Sequence, residues 1–388
     1  MINNNRIFLF LILLGLLIRL LLASLPGFKI DADAWFAWAL RLNQTGFANF
    51  YSDQVWTNYT PGFLYILGLL GFIKNLFQIG DASFYFILKI PAIAAEIILG
   101  ILVYRQFAKK SLSWAIIAAM IILLNPAFIF NSSIWGQIDG LLSLMLIFSV
   151  YFLSQKKLVL SSIFLSLGFL IKPQAIAILP IFALFLVKNL SVRNFLKIAI
   201  PFLLTVFLLS LPFFINQPFS GLPKLFSKMV SDYSFTSLFA YNLWGGVGFW
   251  IPDNTLWNGL SYQIWGYIML TSYWIIIGYL YFKKKLSIYT LATLATLGFF
   301  FLPTRVHERY LYPTIVFLIL ITAYLRSRLL LILAGILSLL HLLNLYYVYV
   351  YYNELYFKLP KILYNPIIYN LLDTNSKGLS SVSTIIFI

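Results

Sequence analysis

Apolar runs of the length that crosses a lipid bilayer recur from one end of this chain to the other, and short basic clusters separate them. A helix rising about 1.5 Å per residue needs roughly 17–25 apolar residues to span the hydrocarbon core. Runs of that kind begin at residue 7 and end near residue 350. With 62% hydrophobic, 19% aromatic and only 10% charged residues, well below the roughly 25% charge of a soluble domain, the chain has too little polar surface to enclose a single core in water. The sequence therefore reads as an all-α polytopic membrane protein. It has no cysteine, which excludes a disulfide, a thiol nucleophile or a zinc–thiolate centre.

The net charge of +16 is a topology signal here, not a nucleic-acid footprint. The basic clusters are Arg105/Lys109/Lys110, Lys156/Lys157, Lys188/Arg193/Lys197, Lys283/Lys284/Lys285 and Arg326/Arg328. The positive-inside rule assigns all five to the cytoplasm. Residues 7–26 are too long for a signal-peptide core, which runs about 7–15 residues, and read as the first span. Parity then demotes the stretch 62–78, which starts after Pro61 and contains Lys74, Asn75 and Gln78, to a helix on the outer surface. The remaining spans are expected at 83–104, 112–130, 139–154, 158–171, 173–187, 198–215, 263–282, 286–303, 310–325 and 329–350. The expectation is one transmembrane domain, 1–350, of about eleven helices. Its first outer loop, 27–82, carries surface helices; a long outer loop occupies 216–262; an interfacial tail follows at 351–388.

This threading gathers seven of the eleven acidic residues near the outer face: Asp31, Asp33, Asp53, Asp139, Asp232, Asp253 and Glu308. Asp53, Asp232 and Asp253 read as solvated loop charges. A helix opening at Lys29-Ile30-Asp31 places Asp31, Trp35 and Trp38 on one face and turns Asp33 elsewhere. Asp31 is then either a helix cap or a general base between aromatic walls. Asp139 closes Trp135-Gly136-Gln137-Ile138-Asp139 and is either a cap or a site carboxylate. Lys172, beside Pro173, either snorkels or faces an anion. His307-Glu308-Arg309-Tyr310 sets four polar side chains at the mouth of a span; metal binding by His307 and Glu308 is disfavoured, because adjacent helical residues do not share a face. Arg19 and Glu96 lie inside apolar spans at similar depth and are expected to pair. No Walker A loop, G-x-S-x-G elbow or H-E-x-x-H motif occurs, so an outer-face reaction would need a pre-activated, membrane-delivered substrate.

The ordered series Asp31…Trp38-Ala39, Asn49-Phe50-Tyr51-Ser52, Tyr59-Thr60-Pro61-Gly62-Phe63-Leu64-Tyr65, Asn125-Pro126-Ala127, Trp135-Gly136-Gln137-Ile138-Asp139, Lys172-Pro173-Gln174 and His307-Glu308-Arg309-Tyr310-Leu311-Tyr312-Pro313 resembles the glycosyltransferase C superfamily. Within it, the likeness is to the prokaryotic group related to the second GPI mannosyltransferase, and it runs from about residue 10 to 325. The resemblance implies a bundle of that type in a bacterial or archaeal plasma membrane, with its active site on the extracytoplasmic face. It also implies transfer of a hexose, by analogy mannose, from a polyprenyl-phosphate sugar to a lipid or glycan acceptor hydroxyl, with inversion. Asp31 matches the catalytic aspartate of the first outer loop, and Asp139 the second acid. Lys172, Arg305, Arg309 and His307 are the expected donor-phosphate ligands. Trp35, Trp38, Tyr59, Trp135, Gln137, Gln174, Glu308 and Tyr310 are the expected substrate contacts. No cofactor is required; a divalent cation, Mg2+ or Mn2+, is the open alternative. The sequence departs at Asn58-Tyr59-Thr60-Pro61, where relatives often carry Asp-Tyr-Pro-Pro. The competing reading is a transporter or flippase of a lipid-linked sugar, which would place acids and broken helices near the bilayer midplane and show a two-fold repeat; no repeat is evident.

Overall fold

A computed structural model describes residues 4–52, 55–284 and 286–387. The chain is almost wholly helical. The first half comprises α1 (Asn4–Leu22), α2 (Lys29–Thr45), α3 (Pro61–Leu76), α4 (Asp81–Ile87), α5 (Ile90–Ala108), α6 (Leu112–Leu124), α7 (Pro126–Ile129), a π-helix (Phe130–Trp135), α8 (Asp139–Ser154) and α9 (Leu158–Ile171). A 3-10 segment (Pro173–Ile178), α10 (Leu179–Lys188), α11 (Val192–Ser210), α12 (Gly221–Asp232) and α13 (Leu243–Val247) follow. The last part holds α14 (Tyr262–Lys284), α15 (Ile288–Phe301), a 3-10 turn (Glu308–Leu311), α16 (Tyr312–Leu325), α17 (Arg328–Tyr349), a second π-helix (Val350–Tyr356) and α18 (Pro366–Phe387).

Among the described residues, seven helical stretches are long and apolar enough to cross a membrane: Asn5–Leu22, Asp81–Ala108, Leu112–Trp135, Val192–Ser210, Tyr262–Lys284, Glu308–Leu325 and Arg328–Tyr356. The other four expected spans are present as shorter apolar helices, Asp139–Ser154, Leu158–Ile171, Pro173–Lys188 and Ile288–Phe301. Lys172-Pro173 breaks the second and third of these apart, as proline requires. The helix expected at 198–215 begins earlier, at Val192.

α16 is the centre of the bundle. Its residues from Tyr312 to Ala323 are all buried, and such an all-round apolar helix belongs in a core. Two ends of the bundle differ in chemistry. At one end Arg326 donates to the Lys110 carbonyl (2.8 Å) and Gln106 to the Tyr289 hydroxyl (2.7 Å), so loops carrying basic clusters meet there. At the other end lie the opening of α2, the Trp135–Asp139 turn, Lys172 and residues 304–309.

α3 packs along α2 and against α9. Its Phe63, Leu64 and Leu67 join Trp35, Trp38 and Tyr59 in a compact aromatic cluster. Four very short strands tie the loops. β1 (Ser237–Leu238) pairs in parallel with β4 (Val306–His307), and β2 (Leu256–Trp257) pairs antiparallel with β3 (Leu260–Ser261). The β1–β4 pairing fixes the approach of His307.

The tail expected to be interfacial contains a 22-residue helix, α18, packed on α13 and α17. Its polar Ser380, Ser383 and Thr384 are buried while Ile367, Leu371 and Ile385 are exposed, and Phe387 stacks on Phe301. Asp373, Asn375 and Lys377 are exposed beside those apolar side chains, and Tyr369 and Leu372 are buried beside the hydroxyls; this mixing hides the helical signal from a search for continuous hydropathy.

Candidate functional site

Asp31 sits in the first turn of α2, whose N-cap is Phe28 with no side-chain cap. The capping reading is therefore replaced by another: the carboxylate is directed to the neighbouring turn. Its Oδ2 accepts hydrogen bonds from Trp135 Nε1 (2.8 Å) and Gln137 Nε2 (2.7 Å). Among the described residues, Oδ1 accepts none. Asp33 points away, as its two-residue offset dictates, and pairs with Lys29 (2.6 Å) and the Tyr85 hydroxyl (2.8 Å).

The turn that holds Asp31 is shaped by the π-helix Phe130–Trp135. Gly136 ends it at φ +92, a left-handed conformation that glycine adopts without a Cβ clash. The Asn131 carbonyl accepts both the Gly136 and the Gln137 amides. This sends Gln137 back toward α2 and starts α8 at Asp139. The Asp139 carboxylate is fully buried. It accepts from Lys172 Nζ (2.7 Å), Asn131 Nδ2 (3.1 Å) and Gln174 Nε2 (3.3 Å). Lys172 also donates to Gln137 Oε1 (2.8 Å), which takes a further bond from the Tyr59 hydroxyl (3.2 Å). Asp31, Gln137, Lys172 and Asp139 thus form one continuous hydrogen-bonded chain.

Arg309 closes it on the other side. Its guanidinium lies over the Trp135 ring (5.2 Å), reaches Glu308 Oε1 (2.6 Å) and stands 3.9 Å from Asp31 Oδ2. A cation over an indole face is electrostatically favourable. Glu308 also faces His307 at 3.8 Å.

Tyr59, Lys172, Gln174, Arg305, His307, Arg309 and Tyr310, together with Asn58 and Tyr233, line one cavity of about 300 Å3. Three buried polar atoms on its wall lack any partner among the described residues: Asn58 Oδ1, Gln174 Oε1 and Arg309 Nε. Buried polar groups are nearly always satisfied, so these orphans mark where a polar ligand would complete the site. Burial pulls the Lys172 ammonium below its usual range, with Asp139 opposing, and burial likewise lowers His307. It pushes the Tyr59 phenol upward. A larger groove of about 800 Å3 lies beside Lys29, Asp33 and Tyr85, but those three satisfy one another.

Several expectations are corrected. Trp35, Trp38 and Trp135 are 2%, 3% and 1% exposed. Their faces are spent on Phe63, Tyr59 and Phe28, so they support the site from within the core and offer no open ring to a sugar. Arg305 lines the cavity but is clamped by Asp253 through Nε (2.6 Å) and Nη2 (3.2 Å). Asp253, expected to be solvated, is 1% exposed and also accepts from Thr304 (2.9 Å). Asp232 is exposed as expected; Asp53 lies outside the described residues. Tyr233, which accepts from Asn58 (3.2 Å) and packs edge-on to His307, was not singled out by the sequence, because an aperiodic loop carries no pattern to mark one tyrosine.

Among the described residues no three His, Asp or Glu side chains converge, and the ammonium of Lys172 already occupies the ground between Gln137 and Asp139. Fold and site together define a helical membrane protein with a buried polar centre at one end of its bundle. No family model matches the chain, and no curated protein matches it either.

Proposed function

We propose that this protein is an integral-membrane glycosyltransferase of the glycosyltransferase C type. It moves a hexose, by resemblance mannose, from a polyprenyl-phosphate sugar to an acceptor hydroxyl on the extracytoplasmic face of the plasma membrane. About eleven helices would cross, the four short ones thinly. One observation carries the reading: a carboxylate with an uncommitted oxygen, Asp31, is tied through Gln137 to Lys172 and stands 3.9 Å from Arg309, and those two cations line a cavity on whose wall, among the described residues, three polar atoms are unsatisfied.

The chemistry follows from that arrangement. Asp31 Oδ1 takes the proton of the acceptor hydroxyl, whose oxygen attacks C1 of the sugar. The C1–O bond to phosphate breaks, its electron pair leaves with the prenyl phosphate, and the anomeric carbon inverts. A general base contributes about 10²–10⁴-fold. Lys172 and Arg309 stabilise the growing phosphate charge in a low-dielectric setting, and His307, which lines the same cavity, donates to it. Asn58 Oδ1 and Gln174 Oε1 accept from sugar hydroxyls. Arg305, neutralised by Asp253, holds the rim. A transporter would show neither step. Purified protein in nanodiscs is given a radiolabelled prenyl-phosphate mannose and a hydroxyl acceptor; product formation supports transfer. Release of label across vesicles with no new glycoside would overturn it.

A further inference from the structure

Below the site, a buried ion pair meets a helix break. Pro126 has no N–H for the Ile122 carbonyl, and the Ala127 amide turns to Asn125 Oδ1 (3.0 Å) instead of the Leu123 carbonyl. The Asn125-Pro126 step thus strands two carbonyls at the end of α6, away from water. Unpaired backbone groups in such a setting are costly. Arg19, reaching across from α1, donates to both, through Nη2 to Ile122 (3.3 Å) and Nη1 to Leu123. Its Nε pairs with Glu96 Oε2 at 2.7 Å, and both side chains are wholly buried.

Glu96 has capacity left after that pairing, and it uses it on two further elements: α16, which directly follows the Glu308–Leu311 turn, and the π-helix that carries Trp135. Oε1 accepts from the Tyr312 hydroxyl of α16 (2.7 Å), and Oε2 accepts from Ser132 of the π-helix (2.7 Å). The next residue is gripped too: Lys89 Nζ donates to the Ser133 carbonyl (2.9 Å), and to those of Ala23 (3.0 Å) and Leu25 (2.6 Å) at the end of α1. The π-helix so held ends in Trp135, which bonds Asp31, and leads directly into Gln137. π-Helical turns are energetically poor and persist where surrounding contacts impose them.

We infer that the Arg19–Glu96 pair, acting through Ser132 and seconded by Lys89, is a positioning device that sets the π-helix and thereby aims Trp135 and Gln137 at Asp31. A buried pair adds little stability by itself; here it fixes a register. Glu96 and Ser132 touch no substrate and act only through the turn. The effect on turnover rests on the transferase reading; the effect on Trp135 does not.

The experiment uses the full chain in nanodiscs, labelled with 5-fluorotryptophan, with the Trp135 resonance assigned by Trp135→Phe. Ser132→Ala is expected to shift or broaden that resonance, and Ser132→Thr to restore it. Ser149→Ala removes an equally buried hydroxyl bond elsewhere, from Ser149 to the Ser161 carbonyl, and is expected to leave the resonance in place. In the transfer assay Ser132→Ala lowers kcat about tenfold, the worth of one misplaced hydrogen bond, with donor KM held. An unmoved Trp135 resonance in Ser132→Ala overturns the inference. A wild-type chain without transfer activity would sink the transferase reading alone, since the fluorine measurement still decides this one.

Discussion

Asp31 and Asp139, each in the first turn of its own helix, share a single mediator: Gln137 donates to Asp31 through Nε2 and receives Lys172, the partner of Asp139, through Oε1. The amide works in both directions because it carries a donor and an acceptor on one rigid plane. It fixes the two carboxylates in different states of engagement. Asp139 is saturated by a lysine and two amides. Asp31 retains an uncommitted oxygen. On the proposed transferase reading, that asymmetry favours Asp31 for proton transfer and Asp139 for anchoring the cation.

Asp31→Asn should therefore abolish transfer by about 10²–10⁴-fold with little loss of stability, since an amide oxygen still accepts from Trp135 and Gln137. Turnover of purified variant, paired with its thermal unfolding midpoint, checks this. Undiminished transfer would remove Asp31 from the role of base.

The Lys172–Asp139 pair predicts a separable pattern. Lys172→Met leaves a carboxylate with zero side-chain exposure uncompensated, a change that costs about 3–5 kcal/mol. Adding Asp139→Asn removes the stranded charge and should recover much of the unfolding midpoint. Activity should stay low in the double variant, because on the proposed reading the phosphate has lost one of its two cations. Recovery of both together would mean Lys172 acts only on the fold.

Much of this site was readable beforehand, and the reason is scarcity. In a chain with few ionisable groups, each one inside an apolar stretch must find a partner, which is how Arg19 and Glu96 identify each other. The i, i+4, i+7 spacing likewise placed Trp35 and Trp38 on one buried face. What the pattern could not convey is which side of an aromatic is covered. Trp135 has the same sequence appearance whether it stacks on a sugar or on Phe28. Asp253 looked like any loop acid, because its partner Arg305 comes from a distant segment through a positive-φ turn. The bounds of three short apolar helices, 139–154, 158–171 and 173–187, were legible because Lys156-Lys157 and Lys172-Pro173 punctuate them; the fourth, expected at 286–303, is shorter, Ile288–Phe301.

Close backbone approach supplies another test. A Cβ at Gly62 would lie 2.5 Å from both the carbonyl carbon and oxygen of Leu170, and backbone cannot swing aside. Gly62→Ala should cost about 1–3 kcal/mol and lever α3 from α9. Thr60, which donates to the Leu170 carbonyl at 2.7 Å, would be carried off with Tyr59 beside it. Loss of activity exceeding the loss of folded protein is the expected signature, measured at matched folded concentration.

His307 gives a pH prediction whose sign follows from its burial. Desolvation lowers its affinity for a proton, Arg309 adds to this, and Glu308 and Asp31 oppose; Tyr233 and Tyr310 pack against the ring. The folded protein thus refuses a proton that the unfolded chain accepts below about pH 6.5. Across the window from that value down to the depressed folded pKa, the unfolded state holds more protons, so stability rises with pH there and falls on acidification. His307→Gln removes the group from the linkage and should flatten the slope of the unfolding midpoint below about pH 6.5, leaving the value at pH 8 nearly unchanged. Midpoints measured across that range in nanodiscs decide it: a slope as steep in His307→Gln as in the wild type would place the acid sensitivity in another group.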